Sequence, residues 1–190
     1  MTDIVIATGN LGKINDFKAI FPDHHVIGIT SLLPDFDVEE TGSTFEENAA
    51  LKAEAASHIL GKTVIADDSG LAVDALDGAP GICSARYAGT AKDDEANIDL
   101  LLENMAGKTD RTARFVCVIA LSEPGQETQV FRGEVEGVVA EARRGLNGFG
   151  YDPVFYLPDR QRTMAELNTA EKAEISHRRR AIDKLKDYLK

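Results

Sequence analysis

The apolar positions of this chain fall into short runs and helical stripes in alternation. Ile4 to Ala7 predicts a first strand, and a turn, Thr8-Gly9-Asn10-Leu11-Gly12-Lys13, follows it. Ile14, Phe17 and Phe21 then recur at helical spacing before Pro22 closes the helix, and Val26 to Ile29 predicts a second strand. The order strand, helix, strand predicts a βαβ unit. Phe45, Ala49, Ala53, Ala56 and Leu60 form the buried stripe of a second helix, opened by the capping box Ser43-x-x-Glu46. Thr63 to Ala66 is β-branched at all but its last position and predicts a buried strand. Asp67-Asp68-Ser69-Gly70 predicts its ending turn, after which Leu71 to Leu76 resumes as structure.

The pattern changes period downstream. Ile98, Leu101, Leu102 and Met105 predict a helix over Asp93 to Met105. Thr112 to Leu121 alternates, with Ala113, Phe115, Cys117, Ile119 and Leu121 on one face. A turn at Glu123-Pro124-Gly125-Gln126 and a run from Thr128 to Ala140 complete a long antiparallel hairpin, with bulges expected at Gly133 and Gly137. Val154 to Leu157 predicts a further strand. One last helix is expected from Asn168 or Thr169 to Leu189, with Ile175, Ile182, Leu185 and Leu189 inside. The expected class is α/β: a mixed twisted sheet flanked by helices, forming two lobes with a central cleft within a single domain spanning residues 1–190.

Composition narrows the function classes. The formal net charge is −11, which repels nucleic-acid polymers and leaves small anions only where the few bases converge. No apolar run approaches the roughly 20 residues of a membrane span. The N-terminus carries no secretory pattern, so no membrane association and a cytoplasmic location are expected. Cys83 and Cys117 lack metal spacing and are expected as free thiols.

Candidate chemistry sits where glycines and scarce charges meet. The Thr8 to Lys13 turn presents backbone N–H groups at a helix start with Lys13 beside them, although the spacing is not that of a Walker A loop. Alternation sends Asp67 and Asp68 to opposite sides, so one is expected in a site and the other capping the turn. Asn48 and Lys52 share a helix face, either as a polar flank or reaching into a neighbouring site. Arg86 is the one arginine of the glycine-rich segment Asp77 to Gly89. Phe149, between glycines, reads either as a platform for a flat ring or as a buried plug. Lys172 and His177-Arg178-Arg179-Arg180 form a basic group on the last helix. Glycine loops, acidic pairs and bases together suggest a phosphorylated, planar substrate with a divalent metal such as Mg²⁺.

Several motifs occur in a defined order: Thr8-Gly9-Asn10-x-x-Lys13, Glu39-Glu40-Thr41-Gly42, Phe45-x-x-Asn48, Ala66-Asp67-Asp68-Ser69-Gly70-Leu71, Gly78-Ala79-Pro80-Gly81-Ile82, Ser84-Ala85-Arg86-Tyr87, Phe149-Gly150-Tyr151-Asp152-Pro153 and Ser176-His177-Arg178. In these the chain resembles the inosine triphosphate pyrophosphatase (Ham1-like, dITP/XTP pyrophosphatase) family. The resemblance implies Mg²⁺-dependent hydrolysis of purine nucleoside triphosphates (ITP, dITP, XTP) to the monophosphate and pyrophosphate by a homodimer that clears the nucleotide pool. By position it implies that Thr8, Gly9, Asn10, Leu11, Gly12 and Lys13 cradle the triphosphate. Asp68 would be general base and metal ligand, with Glu39 (or its neighbour Glu40) a second ligand, and Ser69 would touch substrate. Phe149, Gly150, Tyr151, Asp152, Lys172, His177 and Arg178 would hold the base and nearby phosphate. Cys83, where relatives carry a larger aromatic, and Arg179, where glycine is usual, depart from the pattern. A phosphoribosyltransferase and a non-catalytic nucleotide sensor are the rival readings.

Overall fold

The expected βαβ unit forms at the start of the chain. In the computed structural model, which describes residues 3–190, β1 (Asp3–Ile6) leads into α1 (Leu11–Ile20) and then β2 (His25–Gly28). β1 and β2 are parallel, with Ile4 opposite Val26, and β1 also runs parallel to β3 with Ile6 opposite Ile65. The remaining elements are α2 (Phe45–Leu60), β3 (Val64–Val73), α3 (Asp94–Met105), β4 (Thr112–Ser122) and β5 (Gln129–Val139). β6 (Phe155–Leu157), β7 (Arg162–Thr163), α4 (Thr169–Ile175) and α5 (His177–Tyr188) follow. The strands form one sheet in the order β2-β1-β3-β4-β5-β6-β7. β5–β6 and β6–β7 pair antiparallel, so the sheet is mixed. Among the described residues, no helix is long and apolar enough to cross a membrane.

The chain divides into two compact units. One comprises Met1–Asp68, Cys117–Gly133 and His177–Lys190; the other comprises Ser69–Val116 and Glu134–Ser176. In the first, Ile6, Phe17, Ile29, Ala49, Ala53, Ala56, Ile119 and Ile182 are essentially sealed from solvent. In the second, one apolar cluster joins Leu71, Ile98, Leu101, Met105, Phe115, Val139, Phe155 and Leu167, with the Phe115 and Phe155 rings 4.2 Å apart. Cys117 is buried within β4, and burial pushes its thiol up to about 12.

The structure corrects several expectations. Asp67 to Gly70 make no turn: β3 runs unbroken from Val64 to Val73. Gly70 serves close approach instead, since a Cβ there would sit 2.5 Å from the Gly81 carbonyl and the Ser84 hydroxyl. The α2 cap lies one residue later than the capping box suggested, with Thr44 Oγ1 accepting from Glu47 N. β4 is buried on both faces from Phe115 onward, because it lies inside the sheet with β3 and β5 on either side. The last helix is two: Ser176 takes extended backbone and separates α4 from α5. Serine favours helix starts because its hydroxyl competes for free backbone N–H groups. Leu189, expected inside, is 59% exposed beyond the end of α5. β7 has no apolar run to announce it.

Gly133 lets β5 lie directly on the start of α5, where a Cβ would collide with the carbonyl of His177 and the amide of Ala181. Gly133→Ala is therefore expected to cost about 1–3 kcal/mol of stability, read as a lower midpoint in urea unfolding. An unchanged midpoint would contradict this packing.

Candidate active site

The parallel half of the sheet carries a buried cluster of charges. Asp67 is fully buried on β3, and its Oδ2 lies 3.3 Å from Lys13 Nζ and 3.2 Å from Arg178 Nη2. Arg178, also buried, reaches Asp16 Oδ2 through Nη1 at 2.6 Å and lies over the Phe17 ring. Burial alone would raise the Asp67 carboxyl, but Lys13, Arg178 and Lys52 outweigh it and hold the group well below the usual carboxylate range. Asp67 thus caps no turn; it is the internal counter-ion of two cations.

Asp68 differs from its neighbour. It is only 5% exposed, Oδ1 is 4.0 Å from Lys52 Nζ, and Oδ2 is buried without a hydrogen-bond partner among the described residues. Burial pushes its carboxyl up to about 6; Lys52 and Lys13 oppose the rise, while Glu40 and Asp67 add to it. Lys52 Nζ also sits 2.9 Å from Glu40 Oε1. Burial would lower the Lys52 ammonium, but Asp67, Glu40 and Asp68 raise it, so it stays charged. The cluster sets Lys13, Lys52 and Arg178 against Asp16, Glu40, Asp67 and Asp68, one carboxylate more than it has cations.

The glycine turn that precedes α1 is built as a helix start. Asn10 caps α1, its Oδ1 accepting from Lys13 N, while Thr8 Oγ1 accepts from Asn10 N. This aims Lys13 at Asp67 from the first turn of α1 and leaves Gly9 and Leu11 exposed, with Gly12 half-buried. Of the two readings of the α2 face, Lys52 reaches the cluster. Asn48 acts elsewhere. It is buried, and its Oδ1 accepts from Gly42 N at 2.8 Å, pinning the segment after Glu40. Glu39 is exposed, and Glu40 rather than Glu39 meets Lys52. Among the described residues no three His, Cys, Asp or Glu side chains gather as a preformed metal cage.

A second set lies in the other unit. Lys172 Nζ is 2.8 Å from Asp152 Oδ2 and 4.6 Å from the centre of the Phe149 ring. The Phe149 N–H donates to the same Asp152 oxygen, and the Gly150 N–H donates to Asp94 Oδ2. Phe149 is half-buried, so it is neither a sealed plug nor a freely exposed platform. Tyr151 is buried, its hydroxyl donating to the Ser84 carbonyl at 2.6 Å. Ser69 is half-buried, and Arg86 is exposed with Nη2 3.8 Å from Cys83 Sγ. His177, the first residue of α5, belongs to the first unit and is buried there. Sequence reasoning missed Asp16 and Asp94. Asp16 was detectable, lying one turn after Lys13 on the same face of α1.

An open, mixed α/β sheet with a capped strand-to-helix turn and buried charges within β3 defines the class. Within it, the chain belongs to the Ham1 family, whose model matches residues 4–188. A dITP/XTP pyrophosphatase of Staphylococcus aureus is 64% identical over 100% of this chain and 97% of its own length. The solved Ham1 protein of S. aureus superposes with a TM-score of 0.88 at 63% identity, covering 99% of this chain and 98% of that one. A Ham1 protein from Coxiella burnetii gives 0.87 at 44% identity over 100% and 98%.

Removing one charge from a buried group strands its partners. Asp67→Ala leaves Arg178 and Lys13 without their shared carboxylate and is expected to cost about 3–5 kcal/mol, seen as a large loss in urea-unfolding free energy. A loss below about 1 kcal/mol, the ordinary scale of an exposed pair, would contradict the buried assignment.

Proposed function

We propose that this protein hydrolyses non-standard purine nucleoside triphosphates, namely ITP, dITP and XTP, to the monophosphate and pyrophosphate. One observation carries the reading. Among the described residues Asp68 keeps a buried oxygen without a hydrogen-bond partner, in a chain 64% identical over its whole length to an enzyme named for that reaction.

The residues divide the work as follows. The Thr8 to Lys13 turn offers the triphosphate the N–H groups of Gly9, Leu11 and Gly12 at a helix start, together with the Lys13 ammonium. Mg²⁺ fits this set: the cluster holds one carboxylate in excess, and magnesium characteristically takes one or two carboxylates plus substrate phosphates. Asp68 would hold it, with Glu40 or Glu39 second. When bound, the ion offsets phosphate charge and orients the α-phosphorus. Asp68 takes a proton from water as the water oxygen bonds to the α-phosphorus; the bond from that phosphorus to the bridging oxygen breaks, and pyrophosphate leaves. A carboxyl held near neutrality suits a general base. Lys13 offsets the charge that develops on the leaving group.

Ser69 and the segment Phe149, Gly150, Tyr151, Asp152 and Lys172 serve the rest of the substrate, with Phe149 against the flat base. His177 and Arg178 belong to the same reading, Arg178 acting from its seat between Asp67 and Asp16. Hypoxanthine and xanthine present an oxygen at C6 where adenine presents an amine. A donor aimed there is left unpaired by ATP, which can be worth a factor of about 10⁴. The reading takes the enzyme as a cytoplasmic homodimer acting on free nucleotides.

The test is pyrophosphate release from ITP and XTP with Mg²⁺, with ATP and GTP as controls. Orthophosphate as the product would overturn the bond assignment. Asp68→Asn is expected to lower turnover at least about 10²-fold while its thermal unfolding stays cooperative; full turnover would remove Asp68 as the base.

A further inference from the structure

The segment bearing Phe149 has neither helix nor strand between the end of β5 and Asp152. Such a stretch keeps one shape only where other elements tie it down. At Phe149 the ties are specific. The Phe149 N–H goes to Asp152 Oδ2 at 3.2 Å, and the next N–H along, that of Gly150, goes to Asp94 Oδ2 at 2.9 Å. The first two turns of α3 also hold Arg143, whose guanidinium donates to Glu95 Oε2, the Glu95 carbonyl and Asp99 Oδ1.

Asp94 is not occupied in starting its own helix. Asp93 does that, its Oδ1 accepting from Glu95 N and Ala96 N. The Asp94 carboxylate is therefore available for the loop, and its removal leaves the α3 cap in place.

We propose that Asp94 is a positioning residue for substrate selection: by accepting from Gly150 N–H it fixes the peptide plane after Phe149 and thereby the direction of the Phe149 ring above the Lys172 ammonium. This rests on the reading that the Phe149 segment meets the base. Asp94 touches no reacting atom. Its action passes through a backbone hydrogen bond, so a neutral amide oxygen of the same shape keeps the contact, at roughly half the strength of the carboxylate's.

The chemistry gives a sharp pair of variants. Asp94→Ala removes the acceptor; Asp94→Asn keeps an amide oxygen where the carboxylate was. In Asp94→Ala the Gly150 amide is expected to exchange its hydrogen about tenfold faster, KM for ITP to rise by about the same factor, and the ITP-to-ATP preference to narrow while kcat changes little. Asp94→Asn is expected to lie closer to the parent protein than to Asp94→Ala in all three, since it keeps a weaker bond in the same place. Wild-type KM and preference in Asp94→Ala would overturn the proposal, as would an Asp94→Asn protein as impaired as the alanine variant. Phe149→Ala separates the two claims. A wild-type ITP-to-ATP ratio there removes the base-contact reading itself. A lost ratio there, with an unaffected Asp94→Ala, removes only the role of Asp94.

Discussion

The first unit depends on the need to neutralise a carboxylate sealed from water. Asp67 sits inside a strand with no exposure, a position that costs several kcal/mol for an unpaired charge. The cost is offset by cations that the chain must bring from both its beginning and its end. Lys13 comes from the first turn of α1, and Arg178 from the first turn of α5. Both helices are therefore fixed in direction as well as in place. Arg178 in turn needs Asp16, which returns the arrangement to α1. Apolar burial alone would let α1 and α5 slide against their neighbours; the shared carboxylate gives them a register.

The same buried ground produces two unlike carboxyls at adjacent positions. Strand alternation sends Asp67 towards two cations and Asp68 towards one lysine that is already shared with Glu40. The first carboxyl is held well below the usual range, and the second is pushed up to about 6. The separation comes from surroundings alone, since the two side chains are chemically identical and differ only in the cations they meet. Lys52 sets the balance: it keeps Asp68 from rising further without satisfying the second oxygen.

Much of this was legible in the residues. The βαβ start, α2, α3 and the β4–β5 pair followed from periodicity, because their apolar faces are continuous. Asp67-Asp68-Ser69-Gly70 misled because all four favour turns locally, whereas sheet pairing and the cations that meet Asp67 hold them extended. The break at Ser176 was hidden by an apolar stripe that continues through it. Asn48 and Lys52 could not be told apart by spacing, since both lie on one face and only the path of the Glu40–Gly42 segment assigns them different partners. Asp94 was beyond reach, because its partner is a backbone amide far along the chain and no residue type marks such a bond.

The two thiols differ in a way that bears on handling the protein. The Cys117 sulfur is enclosed within β4 and its proton is held up to about 12, so the nucleophilic thiolate is absent at neutral pH. Cys83 lies in the short 3-10 turn Gly81–Arg86, half-exposed. A maleimide dye or nitroxide should therefore attach at a single position without mutagenesis, giving a spectroscopic reporter in the unit that carries the Phe149 segment.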